Sequence, residues 1–241
     1  MYKLLVSIPK RLNFCLILCC FWTFSVNAGA EESVDPWEGL NRSIYKFNDI
    51  ADRYLLKPVA KVYQKVTPQF IDSSISRFFD NLAEPASALN SLLQAKPLDS
   101  SKTIGRFLVN TTVGLVGFID IATRWGIEQR PEDFGQTLAV WGVESGPYLM
   151  LPFYGPSTIR DTSGKVVDVY SDPVTYVDDV STRNSIKAVD VIDTRADFLS
   201  AEELISGDRY VFIRDAYLQR RDFLIKDGVV EDSFGDFEDE E

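Results

Sequence analysis

Residues 107–122, FLVNTTVGLVGFIDIA, contain thirteen consecutive uncharged positions between Arg106 and Asp120, and two of these positions are glycines. A membrane-spanning helix needs about 20 apolar residues, so this run is too short to cross a bilayer as a helix. It also makes a poor core helix, because each Gly costs about 1 kcal/mol relative to Ala and several neighbours are β-branched. The stretch predicts a re-entrant or interfacial hairpin. A buried element of a soluble core remains the alternative, since short apolar runs are ambiguous.

Residues 1–30 have the three features of a secretory signal peptide. Basic residues come first, an apolar stretch follows at 14–26, and Ala28-Gly29-Ala30 forms a small-residue cleavage site. The apolar stretch is too short for a stable transmembrane anchor. We therefore expect an exported protein that is cleaved after Ala30.

The three cysteines, Cys15, Cys19 and Cys20, all lie in this N-terminal segment. Cleavage after Ala30 would remove them and leave neither a disulfide nor a thiol nucleophile. Lipoprotein processing at Cys19 or Cys20 is the alternative. It is less favoured, because the bulky Leu18 precedes Cys19 where a small residue is preferred.

The charge of the chain excludes several classes of function. With 25 basic and 36 acidic residues the net charge is −11, and loss of three basic residues with segment 1–30 leaves 22 against 36, or −14. Nucleic-acid binding needs a basic surface, so it is not expected. The sequence has no histidine, which removes the Ser-His triad and the commonest metal ligand. We expect no cofactor and no metal site.

The rest of the chain reads as a succession of amphipathic helices separated by proline. Asp35 is expected to cap the first helix, which should end before Pro58, and Pro58 can open the second helix. Further breaks are expected at Thr67-Pro68 and Glu84-Pro85. Later helices should begin at three places. These are the segment 131–133, Ser157 or Thr158, and Gly207-Asp208, with Gly228 as the final C-terminal cap.

Two other segments do not read as helices. The uncharged run 146–159 is interrupted by glycine and proline, and predicts either a loop packed over the core or a second wall of the apolar feature at 107–122. Residues 229–241 are strongly acidic and are expected to be disordered. No linker divides the chain, so we expect one helical domain over 31–228.

Six motifs in fixed order carry a resemblance to a known family. They are DPWEGLNRSIYKFN (35–48), NLAEPASALNSLLQ (81–94), RFLVNTTVGLVGFIDIA (106–122), EDFGQTLAVWGV (132–143), GPYLMLPFYGPSTIRD (146–161) and RDAYLQRRDF (214–223). Across about residues 35–225 the chain resembles the MlaA (VacJ) proteins of Gram-negative bacteria.

The resemblance implies an all-α, single ring-shaped helical domain with a glycine-rich apolar hairpin and an amphipathic central channel. It implies a non-enzymatic protein in the inner leaflet of the outer membrane, associated with trimeric porins. Such proteins remove phospholipids misplaced in the outer leaflet and pass them to the periplasmic carrier MlaC, which maintains lipid asymmetry.

The resemblance also assigns residues to roles. The channel and hairpin positions are Gly114, Leu115, Gly117, Phe118, Ile119, Gly142, Glu144 and Gly146. Gly142 falls in a segment expected to pack against the hairpin, and Glu144 replaces the small residue expected there. The N-terminal family signature is carried by Asp35, Pro36, Gly39, Asn41, Arg42, Tyr45, Phe47 and Asn48.

A phospholipid path needs both apolar and polar walls. The runs 107–119 and 146–159 can supply the apolar wall, and we expect Arg106, Asp120, Arg124 and Glu144 to form a polar rim. Two other classes compete with this hypothesis. One is a soluble periplasmic lipid-binding or scaffold protein. The other is a carboxylate hydrolase using Glu132 with Asp133 or Glu202 with Glu203, which is disfavoured because neighbours on a helix do not face each other.

Overall fold

Helices account for most of the residues that the computed structural model describes, which are 34–202 and 205–229. Within these ranges a single antiparallel hairpin pairs Tyr148 with Thr158 and Leu151 with Gly155. The all-α class is therefore confirmed. In these ranges the α-helices and strands are α1 Glu38–Ala51, α2 Lys57–Val66, α3 Gln69–Leu93, α4 Pro97–Thr112, α5 Ile121–Arg124, α6 Phe134–Val140, β1 Tyr148–Leu151, β2 Gly155–Thr158, α7 Ile159–Ser171, α8 Val180–Ala201 and α9 Arg209–Ile225.

The described residues all belong to one compact unit, which begins at residue 34. The predicted signal peptide, with Cys19 and Cys20, lies outside the described residues, as does all but the first residue of the tail 229–241. Signal cleavage, lipidation and disorder of the tail therefore stay predictions.

Pro58 lies in the first turn of α2, as predicted for a proline that opens a helix, whereas Pro85 lies where the sequence predicted a break but the helix continues. Before Pro58, a π-helical turn at Asp52–Leu56 joins α1 to α2, and the Lys57 N–H donates to the Asp52 carbonyl. This wider turn accommodates a residue that lacks an amide hydrogen. Pro85 lies inside α3. There the buried ion pair of Glu84 with Arg106 holds the neighbouring backbone in place.

The start of α1 also differs from the prediction. Trp37 occupies the N-cap position, and Asp35 does not cap the helix. The Asp35 carboxylate is instead buried, accepting hydrogen bonds from Asn41 Nδ2 at 2.8 Å and from the Tyr210 hydroxyl. The local sequence predicted Asp35 as a helix cap, but its side chain takes part in a tertiary hydrogen-bond network instead. By contrast, the predicted caps Thr158 and Asp208 are confirmed for α7 and α9.

Helices α3 and α4 form an antiparallel pair whose contact faces are polar. Along α4 the buried residues recur every three or four positions, and along α3 they form a matching stripe. Ser100 Oγ donates to the Ala88 carbonyl at 2.8 Å, and the amide of Asn81 donates to Thr111 Oγ1 at 3.0 Å. The buried polar residues of the pair are Asn81, Glu84, Ser87, Asn90, Ser91, Ser100, Thr103, Arg106 and Asn110.

The described residues bury mainly polar side chains and expose many large apolar ones. Among the described residues, nineteen polar or charged side chains are buried, against eight hydrophobic ones, four of which are alanines in helices α2, α3, α5 and α8. The apolar stripes that identified the helices point outward: Leu40 is 60% exposed and Tyr54 is 78% exposed. A water-soluble protein normally shows the opposite distribution, with apolar side chains buried and polar side chains exposed.

The β-hairpin was not predicted, although its segment was recognised as non-helical. Pro152 and Pro156 obscure the alternation of a strand pattern. Proline is tolerated because each strand of a two-stranded sheet has a free edge, where an amide hydrogen is not required. Phe153 in the turn has a φ of 63°, and Gly155, the first residue of β2, has a φ of 78°.

Candidate functional site

Residues 113–120 form the tight turn between α4 and α5, and with the end of α4 they make the predicted glycine-rich hairpin. The first part of the stretch, through Thr112, continues α4. The turn then closes back on this helix, since the Val116 N–H donates to the Thr111 carbonyl and the Gly117 N–H to the Asn110 carbonyl. The turn thus satisfies carbonyls that a helix end leaves unpaired.

Both glycines of the turn lie where a side chain does not fit. A Cβ on Gly114 would be 2.1 Å from the Ile119 carbonyl oxygen and 2.5 Å from the Asn110 carbonyl oxygen. Gly117 has a φ of 95°, and its Cβ would be 2.5 Å from Asn81 Cβ. Glycine is therefore required at Gly114 by the close approach of other backbone atoms, and at Gly117 by its positive φ and the nearby Asn81 side chain.

The surface of the turn is apolar and exposed. Leu115 is 64% exposed and Val116 is 55% exposed, and both have positive φ angles. A β-branched residue with positive φ is a strained conformation. Phe118 stacks on Phe78 of α3 with ring centroids 5.3 Å apart. The turn therefore exposes apolar side chains, while its backbone is held by hydrogen bonds to the end of α4.

Arg106 is buried behind the turn and bonds to it. The prediction that Arg106 belongs to an exposed polar rim is therefore wrong. Arg106 is 2% exposed, and its Nε donates to Glu84 Oε1 at 2.8 Å. Its two terminal nitrogens reach Asp120 Oδ2 at 3.2 Å, the Thr123 hydroxyl at 3.0 Å and the Ile127 carbonyl. One guanidinium thus links α3 to both ends of α5. Arg124 and Glu144, by contrast, are exposed.

Asp120 caps α5 and is the carboxylate that Arg106 bonds in the turn. Burial alone would raise the pKa of Asp120, but hydrogen bonds from Thr123 and Asn110 overcome it and lower the pKa to about 2. Asn110 donates to Asp120 Oδ1 at 3.0 Å, while its own Oδ1 accepts the N–H groups of Ile121 and Ala122. Sequence reasoning missed Glu84 and Asn110. Their signal was the recurrence of polar residues at helical spacing along α3 and α4.

Two asparagines of the N-terminal signature hold the β-hairpin. Asn41 donates to the Tyr148 carbonyl at 3.0 Å and accepts the Met150 N–H at 2.9 Å. Asn48, two helical turns later, donates to the Leu151 carbonyl at 2.9 Å and accepts the Phe153 N–H at 2.9 Å. Their side chains therefore pair with the free edge of β1 as a further strand would.

The remaining signature residues mostly connect α1 to α9 and to the hairpin. Arg42 bonds Asp208 at 2.8 Å and lies 4.5 Å above the Tyr210 ring, which also contacts Tyr45 edge-on. Phe47 contacts the exposed Phe153 ring edge-on at 5.1 Å. Pro36 lies in the turn before α1, and a Cβ on Gly39 would meet no atom within 4 Å.

We predict that Asn48→Ala frees the tip of the β-hairpin. The variant loses two hydrogen bonds, so the free energy of unfolding should fall by about 1–3 kcal/mol, and exchange of the Phe153 amide hydrogen should accelerate. Ser43→Ala is the control, because Ser43 is an exposed α1 residue that bonds only within its own helix. Equal exchange at Phe153 in wild type and Asn48→Ala would contradict the assignment.

The predicted channel positions beyond the turn lie near the β-hairpin. Gly142 ends α6: its N–H donates to Ala139, the Val143 N–H donates to Leu138, and its φ is 86°. This is the hydrogen-bond pattern of a Schellman cap. Gly142, Glu144 and Gly146 are all exposed. Packing of this segment against the turn at 113–120 stays a prediction.

A cavity of about 420 Å³ lies between α3, the start of α6, α7 and α8. Apolar side chains such as Phe79, Leu82 and Ile186 form one part of its wall. None of the eight predicted channel residues lines it. The acidic residues of the wall are Asp80, Glu132, Asp133, Asp168, Asp172 and Asp190. The cavity is therefore amphipathic.

The acidic wall of this cavity should make stability depend on pH. Burial, followed by the charge of Asp133, raises the pKa of Asp168 from 3.8 to about 6. The folded state thus retains a proton that the unfolded chain releases, so this group lowers the free energy of unfolding as pH rises from about 4 to about 6. We expect Asp168→Asn to raise the thermal midpoint at about pH 7.5 but not at about pH 4. The exposed Asp178, outside the cavity, gives the control variant Asp178→Asn, and a pH-independent gain for Asp168→Asn would contradict this origin.

The carboxylates considered for hydrolysis are engaged in structural contacts. Glu132 bonds Gln94 at 2.8 Å, and Asp133 caps α6 and pairs with Arg221. Glu202 pairs with three basic residues, while Glu203 lies outside the described residues. No group of three or more His, Cys, Asp or Glu residues within 34–202 and 205–229 is arranged to hold a metal ion.

Together these features define a helical protein that buries polar networks, exposes an apolar turn and contains an amphipathic cavity. No helix within the described ranges is long and apolar enough to span a membrane. The model of the MlaA lipoprotein family matches residues 33–224, and the chain belongs to this family.

Two curated relatives and one solved structure extend this similarity. The chain is 38% identical over 200 residues to the intermembrane phospholipid transport system lipoprotein MlaA of Escherichia coli, covering 80% of this chain and 79% of that protein. It is 36% identical over 209 residues to the Haemophilus influenzae protein of the same name, covering 84% and 83%. A solved structure concerned with maintenance of bacterial outer membrane lipid asymmetry matches with a TM-score of 0.70 and 37% identity, over 79% of this chain and 98% of that chain.

Proposed function

We propose that this protein is the outer-membrane component of retrograde phospholipid transport, which removes mislocalised phospholipids from the outer leaflet and so maintains lipid asymmetry. It does so by binding and guiding lipid, without catalysis. The observation that carries the proposal is the outward apolar surface around a polar interior, in a chain whose relatives from Escherichia coli and Haemophilus influenzae are named for intermembrane phospholipid transport.

The apolar surface suits a protein held in one leaflet. Burial of apolar area contributes about 25 cal/mol per Å², so many exposed side chains can anchor a helical body without a spanning helix. The exposed rings of Phe153 and Tyr154, at 77% and 73%, and the turn at 113–120 are part of this surface. We place the protein on the periplasmic side of the outer membrane, in its inner leaflet.

We further propose that lipid passes through an amphipathic channel in a ring-shaped body, with the turn at 113–120 as an apolar wall. The amphipathic cavity beside α3 supports a path with both apolar and charged walls. Trimeric porins would hold the protein in the membrane, and the soluble carrier MlaC would receive the lipid.

Purification of the full chain in mild detergent tests this function. We expect a trimeric porin to copurify with it and phospholipid to be found by mass spectrometry of the complex. Deletion of the protein should also raise the phospholipid content of the outer leaflet. Recovery of the mature protein in the soluble periplasm without detergent would favour the alternative, a soluble lipid-binding or scaffold protein.

A further inference from the structure

A second cavity, of about 540 Å³, lies between α2, the end of α8 and the start of α9. Its lining includes three basic side chains, from Lys57, Lys61 and Arg209, and one acidic side chain, from Glu202. The chain as a whole has a net charge of −11, so a positively charged cavity is an exception on this molecule.

Neighbouring charges leave the net positive character of this cavity unchanged, because Arg195, which bonds Glu202, is itself paired with Asp52. Glu202 Oε1 pairs with Lys57 at 2.8 Å and with Arg209, and its Oε2 pairs with Arg195 at 2.8 Å. Arg195 also bonds both oxygens of Asp52. Burial would raise the pKa of Glu202, but hydrogen bonds from these three cations lower it to about 2. The carboxylate is thus ionised at any physiological pH and still does not balance the surrounding cations.

Lys61 supplies positive charge that no described residue neutralises. It lies one helical turn after Lys57 on α2, is exposed, and makes no ion pair or hydrogen bond with any residue in 34–202 or 205–229. The other walls add uncharged donors, Gln64 and Ser200, and apolar contacts from Leu199 and Ile205.

We propose that this cavity binds a phosphate group carried on glycerol, as in glycerol 3-phosphate or the head group of a glycerophospholipid. Ammonium and guanidinium groups are the side chains that recognise phosphate oxygens. The amide and hydroxyl donors suit the remaining oxygens. The two apolar residues suit contact with the glycerol carbons, from which the acyl chains of a lipid would extend. Binding is a property of the purified protein and does not require that the protein transport lipid.

The test compares Lys61→Glu with Lys65→Glu. Both positions are exposed on α2, and both changes alter the net charge equally, but Lys65 does not line the cavity. Since Lys61 has no partner among the described residues, the change breaks no contact of the described fold. Binding is measured by calorimetry on the full chain in an uncharged detergent. The probes are inorganic phosphate, glycerol 3-phosphate and monomeric dihexanoyl phosphatidylglycerol.

We expect Lys61→Glu to weaken binding about tenfold, which is about 1.4 kcal/mol, and Lys65→Glu to change it less than about twofold. Binding of glycerol 3-phosphate identifies a soluble phosphate ester as sufficient, whereas binding of the short-chain lipid alone identifies a lipid head group. Either result supports the site if it is lost in Lys61→Glu. Equal effects of the two substitutions, binding of inorganic phosphate without preference for the glycerol compounds, or no binding of any probe would overturn the proposal.

Discussion

Substitution of Gly114 by alanine is expected to lower the free energy of unfolding by more than about 3 kcal/mol and to abolish lipid clearance. Its Cβ would lie 2.1 Å from one carbonyl oxygen and 2.5 Å from another, and both oxygens belong to backbone that cannot move aside alone. The turn must open, so the apolar residues at its tip lose their fixed position. Leucine at Gly114 or Gly117 should act in the same way.

Gly105 provides the matched control for this substitution. It lies in the same helix, α4, and a Cβ there meets no atom within 4 Å. Gly105→Ala should therefore gain about 0.5–1 kcal/mol from helix propensity. Denaturation of the purified variants measures stability, and the outer-leaflet phospholipid of cells with matched protein levels measures clearance. Normal lipid asymmetry in Gly114→Ala and Gly117→Leu would refute a role for the turn.

Arg106→Met is expected to cost about 3–5 kcal/mol, because it leaves the Glu84 carboxylate buried without its cation. Glu84 is 3% exposed, and burial already raises its pKa despite the hydrogen bond from Arg106. Without the guanidinium this pKa should rise further. Most of the lost stability should therefore return at low pH, where the acid is neutral.

Lys102→Met is the control for the Arg106 substitution. Lys102 lies one turn earlier on α4, and its ion pair with Asp99 is exposed. Exposed pairs contribute about 0–1 kcal/mol, so this variant should behave as wild type. The double variant Arg106→Met, Glu84→Gln should recover part of the loss, since no buried charge is then unpaired. Equal stability of Arg106→Met and Lys102→Met would contradict the assignment.

The predictions from sequence succeeded where a local signal was sufficient. Thr158 and Asp208 cap helices because a side-chain oxygen next to a helical pattern needs only the following amide groups. Gly228 ends α9, with its N–H bonded to the Phe223 carbonyl. By contrast, Asp35 and Pro85 were misassigned, because Asp35 bonds distant partners and α3 continues through Pro85.

The candidate site was predictable in part. Gly114 and Gly117 were identified by composition and resemblance, but the atoms that require glycine, the carbonyl of Ile119 and the side chain of Asn81, are set by tertiary packing. The roles of Asn41 and Asn48 could not be derived from α1 alone. They depend on a β-hairpin more than a hundred residues away in the chain.

The sequence by itself determined the helical class and most helix boundaries, because periodicity and capping are local properties. It also determined the negative net charge and the absence of histidine chemistry, because composition is additive. Only the tertiary structure decided which way the helices face. An amphipathic pattern has the same period whether its apolar stripe points inward or outward, and the polar stripes of α3 and α4 become an interior only when they meet. Within the run 107–122, residues 113–120 therefore form an exposed turn held by a buried arginine, an arrangement that depends on Glu84 and Asp120 coming together around Arg106.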